Sequence, residues 1–350
     1  MAEADAVKPH AIMVQFLFQG HITPFSHLAL ALASKGCTVT YVQTEFQHYQ
    51  MKSTAASAHP HQLSNEEAVD LFFPGARESG LDIRYATISD GFPLDFDRDL
   101  NFHEFYESIL RDFPARVDEL VGKIVESGRS LTPFLVADAT YLWPPAIANK
   151  YNMVHVAFWT STALHLSLGY HFELFKENGP LISGGQDMDH IDVPGVRQSN
   201  VEDFINLAQA DKQLVWEIAC GLLIACVNFV WVLPLEALNS SGEMHVLPPG
   251  FMANTKFLPF NRNMVVDDWK VGINLCEKEP ASKERIAETI NSLMSGTASE
   301  NLIKQNMKKM SKIVHDAVAN DGSSTRNLDN FLKDLKTKIR TRSKDTSVSC

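Results

Sequence analysis

The sequence predicts an α/β protein of two Rossmann-type domains with parallel sheets, the C-terminal one incomplete. Three observations carry this reading. Strand-like and helix-like segments alternate through the first half of the chain, a stretch rich in Gly and Asp at residues 179–200 interrupts the alternation, and only one strong strand signal follows it. With 350 residues the chain is long enough for two cores. Residues 1–205 are read as the N-terminal Rossmann-like domain, and residues 206–350 as a shortened C-terminal domain ending in helices.

The first element is the apolar, β-branched run at residues 11–16, a buried strand. Pro24 marks a helix start, and Phe25, Leu28, Ala29 and Leu32 recur at helical spacing until Lys35 and Gly36 end the turn. Residues 39–42 form the second strand. Strand, helix and strand within so few residues make a βαβ unit, which requires a parallel sheet. Residues 48–65 are polar and read as a loop. The third strand, 82–88, ends in Ser89-Asp90-Gly91-Phe92-Pro93, a turn. A long amphipathic helix spans 101–127, a strand at 134–137 delivers Asp138 at its carboxyl end, a short helix covers 144–150, and a strand at 154–158 leads to Trp159-Thr160-Ser161. In the second half, residues 218–226 suit a helix and 229–233 a buried strand, 270–275 a short strand, and 282–295, 299–319 and 325–340 helices.

Composition narrows the function. The net charge is −11, whereas a surface that tracks phosphates needs clustered Lys and Arg, so nucleic acid is excluded as a partner. Five cysteines, odd in number and without CxxC spacing, give neither a disulfide framework nor a zinc site and suit a reducing, cytoplasmic setting. No basic-then-apolar leader opens the chain. The uncharged run at 218–235 is long enough to be weighed as a membrane span, but Asn228 and Pro234 interrupt it and its second half is β-branched and aromatic, so no span is assigned. His59 and His61 could hold a metal, yet no Cys or carboxylate stands close in sequence; no metal is assigned.

In an open parallel sheet ligands bind beyond the carboxyl ends of the strands. The first such end carries Phe18, Gln19, Gly20 and His21. An imidazole there can take a proton from a hydroxyl because its ordinary pKa lies near 6.5. Asp138 ends another strand, and a carboxylate bonded to the far ring nitrogen would set the tautomer and stabilise the imidazolium. Taken singly, each residue has a plainer use, His21 in packing and Asp138 as a helix cap.

The larger pattern resembles a family. Gln19-Gly20-His21-Ile22-Thr23-Pro24, the Ser89–Pro93 turn, Val136-Ala137-Asp138, Phe158-Trp159-Thr160, Pro194-Gly195-Val196, and the runs at 229–233, 247–251, 265–275 and 322–324 are similar, in order and spacing, to the plant family-1 UDP-dependent glycosyltransferases. The resemblance covers residues 9–331 and implies the two-domain GT-B fold. It implies transfer of a sugar from a UDP-sugar to a hydroxyl of a small lipophilic acceptor in plant secondary metabolism, with inversion at the sugar carbon. His21 then matches the general base and Asp138 its partner; Gln19, Gly20 and Thr160 lie on the donor side; Phe18, Phe92 and Tyr141 line the acceptor pocket. The co-substrate is the UDP-sugar, with no metal or other cofactor, and the chain acts as a monomer.

The chain departs from that pattern in two places. The family's donor signature has a Trp, a Gln, a His, a Gly-Trp-Asn-Ser run, a Glu and a closing Asp-Gln, and the chain passes from Thr255-Lys256 to Phe257-Leu258 without it. The elements joining the domains are also missing between Gln209 and Asp211. The expectation is weak UDP binding, with a non-catalytic remnant that keeps acceptor binding as the alternative. A nicotinamide oxidoreductase is disfavoured because the first βα loop lacks GxGxxG, and an α/β-hydrolase because GxSxG is absent.

Overall fold

The three central strands, residues 8–14, 38–44 and 131–138, are buried over most of their length because both faces are covered by helices, as a parallel sheet requires, whereas the edge strand at 154–158 is only partly buried. The computed structural model describes residues 8–55, 65–98, 100–127, 131–171, 264–273, 282–294 and 298–348. Strands β1 (Lys8–Val14), β2 (Thr38–Thr44), β3 (Ile83–Ile88), β4 (Leu131–Asp138) and β5 (Val154–Phe158) run parallel in the order β3-β2-β1-β4-β5. The order reverses between β1 and β4, which makes their carboxyl ends the crevice of a doubly wound sheet.

The helices are α1 (Gln19–Ser34), α2 (Glu45–Ala55), α3 (Asn65–Phe72), α4 (Phe102–Arg111), α5 (Phe113–Ser127), α6 (Pro144–Lys150), α7 (Ala163–Tyr170), α8 (Lys283–Met294), α9 (Ala298–Val318) and α10 (Ser323–Val348), with one π-helical turn at Met264–Asp268. Residue alternation along the strands divides the core. Ala11, Met13, Val39, Tyr41, Phe134 and Val136 meet Phe25, Ala29 and Leu32 of α1, together with Leu332, Leu335 and Ile339 of α10. Ile12, Val14, Val42, Leu135 and Ala137 meet Phe105, Ile109, Phe113, Val117 and Val121 of α4 and α5.

Two compact units emerge, Met1–Thr160 with Asn327–Cys350, and Ser161–Arg326. The end of the chain, read from the sequence as part of the C-terminal domain, thus belongs with the N-terminal unit. Its apolar stripe joins that core, Lys35 pairs with Asp329 at 2.6 Å, and Arg342 donates to the Met153 carbonyl. The boundary expected between 205 and 206 lies outside the described residues, as do the helix at 218–226 and the strand at 229–233.

Four elements differ from the sequence reading. Helix α1 starts at Gln19, not near Pro24, because the Phe18 carbonyl accepts from the N–H groups of His21 and Ile22 at 2.9 and 3.1 Å and so closes a first turn ahead of the proline. Residues 48–55, read as loop, complete α2. The helix read at 101–127 breaks into α4 and α5 at Asp112, since Pro114 has no N–H to donate to the carbonyl four residues back and is accommodated in the first turn of a new helix. The short strand read at 270–275 is not formed over 270–273. There Lys270 takes a positive φ of 53°, and Val271 N–H turns back to the Val265 carbonyl at 2.8 Å.

Candidate functional site

The crevice between β1 and β4 collects three of the residues singled out in the sequence. Phe18 caps the amino end of α1, which puts His21 in the helix's first turn. Asp138 is the last residue of β4, and Thr160 follows β5 by two residues. His21 Nδ1 lies 2.7 Å from Asp138 Oδ2 and 3.0 Å from Thr160 Oγ1. The Asp138 side chain is 2% exposed and that of His21 25%, so the carboxylate is sealed while the ring reaches solvent.

The Asp138 carboxyl is pulled two ways. Burial penalises its charge, but hydrogen bonds from His21 and from Thr140, whose backbone N–H donates to Oδ1 at 2.9 Å, outweigh that penalty and hold its pKa below the ordinary value. An ionised carboxylate only accepts, so Nδ1 must carry the shared proton, and the Nε2 lone pair is left for another partner. Phe16, itself buried, tilts against the imidazole with centroids 5.3 Å apart. The ring is thereby held by a charge on one edge and by an aromatic contact. Such an arrangement can draw a proton from a hydroxyl placed at Nε2.

The remaining sequence candidates fall in different surroundings. Gln19 opens α1. Gly20 is exposed, and a Cβ there would meet nothing within 4 Å, so packing does not demand glycine. Phe18 packs edge-on to Phe16 at 5.0 Å. Phe92 stacks on Phe96 at 4.2 Å. Tyr141, read as lining a pocket, is instead 4% exposed, and its hydroxyl donates to the Gln15 carbonyl at 3.3 Å. Burial, and then the nearby Asp138 charge, push its phenol well above the ordinary value. It is a core residue because Phe16, Phe113 and Trp143 surround its ring.

Arg98 was not legible as a site residue. Its guanidinium grips Asp90 through Nε at 2.8 Å and Nη2 at 3.0 Å, donates to the carbonyls of Phe96, Pro93 and Phe92, and lies 3.6 Å from the centre of the Phe46 ring. With Gly91 at φ 101° and the Asp90 side chain accepting from Phe92 N–H, this pair shapes the 89–98 loop that presents Phe92. Only a buried partner across the loop identifies it, and sequence spacing gives no such signal.

No family model matches the chain. Among curated proteins it is 30% identical to UDP-glycosyltransferase 86A1 of Arabidopsis thaliana over 489 aligned positions, covering 98% of this chain and 97% of the relative. The chain belongs to the plant family-1 UDP-glycosyltransferases. Because it has 350 residues, the alignment carries long gaps on its side. The fold agrees with solved structures. A UDP-glucose: anthocyanidin 3-O-glucosyltransferase in complex with UDP superposes with a TM-score of 0.63 at 16% identity, over 96% of this chain and 99% of that one. Medicago truncatula UGT71G1 complexed with UDP-glucose does so with 0.60 at 15%, over 95% and 99%. The architecture is therefore that of a GT-B UDP-glycosyltransferase.

Among the described residues no group of His, Cys, Asp and Glu could hold a metal ion, and no helix is long and apolar enough to cross a membrane. The histidines at 59 and 61, the uncharged run at 218–235 and the stretch where the donor signature would join lie outside them.

Proposed function

We propose that the chain is built for inverting transfer of a sugar from a UDP-sugar to a hydroxyl of a small lipophilic acceptor, with His21 as general base. The supporting observation is the 2.7 Å bond between His21 Nδ1 and a buried, ionised Asp138 at the β1/β4 crevice. Nε2 takes the acceptor's hydroxyl proton as the oxygen attacks sugar C1. The bond from C1 to the diphosphate oxygen breaks from the opposite side, its electron pair leaves with UDP, and the configuration at C1 inverts. Asp138 keeps the proton of the resting ring on Nδ1 and stabilises the imidazolium once Nε2 is protonated. A positioned base of this kind contributes about 10²–10⁴ in rate.

Thr160, Gln19 and Gly20 face the donor in this reading, and Phe18 and Phe92 the acceptor. The chain works as a monomer in the cytoplasm, without a metal. The UDP and UDP-glucose bound in the two solved structures support the donor class.

A second reading, an acceptor-binding chain without turnover, is favoured by the sequence itself. No Gly-Trp-Asn-Ser run occurs in it. Diphosphate needs helix-end N–H groups and side chains aimed at its charge, both to bind and to leave. One experiment separates the two: UDP release from UDP-glucose with a panel of hydroxylated acceptors, alongside calorimetry with UDP. Release that falls at least a hundredfold in His21→Ala supports transfer. No release, no UDP heat and retained acceptor binding support the second reading.

A further inference from the structure

Helix α1 shows His21 to β4, and a different flank to α2 and α3. Thr23 is two residues past His21, roughly 200° around a helix of 3.6 residues per turn, so the two side chains leave α1 on nearly opposite sides. Between α1, α2, α3 and the end of β2 lies a cavity of about 390 Å³. Ile22, Met51 and Phe72 give it apolar walls, Thr23 and Ser26 line the α1 side, and Gln43 reaches it from β2. No lining side chain carries a charge.

Gln43 is 1% exposed, and neither its Oε1 nor its Nε2 has a hydrogen-bond partner. Gln15 stands one step past Val14, as Gln43 stands one step past its register partner Val42, and Gln15 is likewise buried with both amide atoms unpartnered. Buried carboxamides are nearly always satisfied, and one left unpaired loses its hydration without return. A group that both donates and accepts would satisfy Gln43, and a hydroxyl does both. A phosphate or carboxylate would enter without any cation to meet it, so an anion is disfavoured. The volume falls within the range of small-molecule sites.

We propose that this cavity binds a small uncharged organic molecule bearing hydroxyls on an apolar frame, one hydroxyl paired with the Gln43 carboxamide and the frame against Ile22, Met51 and Phe72. The site stands apart from His21 and does not depend on catalysis.

The test uses the full chain labelled with ¹³C-methyl methionine and phenyl β-D-glucoside as probe, following the Met51 methyl resonance. A saturable shift is expected in the wild type and in His21→Ala, with affinity at least tenfold weaker in Gln43→Leu and in Ser26→Leu. Ser26 is only half-buried on α1, so its variant keeps the test decisive if Gln43→Leu fails to fold. A Met51 signal that does not move, or affinity unchanged in the variants, overturns the proposal, and water alone then satisfies Gln43.

Discussion

His21 and Asp138 stand 117 residues apart in sequence, yet their side chains meet at 2.7 Å because β1 and β4 are adjacent parallel strands that end at the same rim. The register Val14 to Ala137 brings both strand ends level. The first turn of α1 then swings His21 back over the end of β4. The fold makes the pair, and no local signal near either residue does.

Arg98 and Asp90 form the most buried ion pair among the described residues, with side chains 6% and 3% exposed. Arg98→Met should strand the carboxylate in the core and cost about 3–5 kcal/mol in denaturant unfolding. The double variant with Asp90→Asn should recover part of the loss. A single variant within about 0.5 kcal/mol of the wild type would show that the loop re-solvates freely.

His10 predicts an acid limb in the stability profile. Burial, with the Arg84 charge second and Lys8 adding to it against Asp82, lowers its pKa to about 4. The folded state therefore binds this proton less readily than the unfolded state, whose pKa is near 6.5. Stability is full above pH 6.5 and falls as pH drops from 6.5 to 4, by up to about 3 kcal/mol. In His10→Asn the fall over that window should shrink by most of this amount, read as the difference between the two unfolding profiles. Parallel profiles would remove His10 from the account.

Gly122 is kept in the interior of α5 by a neighbour rather than by its own backbone. A Cβ there would lie 2.8 Å from the Tyr151 hydroxyl, which donates to the Asp118 carbonyl. Gly122→Ala alone should lower the melting temperature. In a Tyr151→Phe background the same change should stabilise by about 0.5–1 kcal/mol, the usual helix gain of alanine over glycine. Destabilisation in both backgrounds would contradict this contact.

Much of the sheet was legible because its central strands β1, β2 and β4 are buried and carry apolar, β-branched or aromatic residues at their middles. Strand β5 and helix α6 fall on the residues that the sequence indicates. The start of α1 was not, since Pro24 is a strong local start signal and the turn before it closes on the Phe18 carbonyl through backbone bonds that no residue type marks. Helix α2 is polar and lacks an apolar stripe; its place is set by contacts such as His48 to the Tyr85 hydroxyl at 3.2 Å. In the site, His21 and Asp138 were legible as strand-end residues, and Thr160 only through the family resemblance. Tyr141 was misplaced because an aromatic beside a strand end has the same sequence pattern whether it walls a pocket or fills the core. Gln43 and Arg98 carry no pattern, and only burial reveals them.

The tautomer of His21 tests the account at its centre, and long-range ¹H–¹⁵N spectra of the ¹⁵N-histidine-labelled chain read it without any need for turnover. With Asp138 ionised beside Nδ1, the ring should hold its proton on Nδ1 and leave Nε2 unprotonated at neutral pH, and Asp138→Asn should shift that balance. A neutral ring protonated on Nε2 in the wild type, or one indifferent to Asp138→Asn, would contradict it.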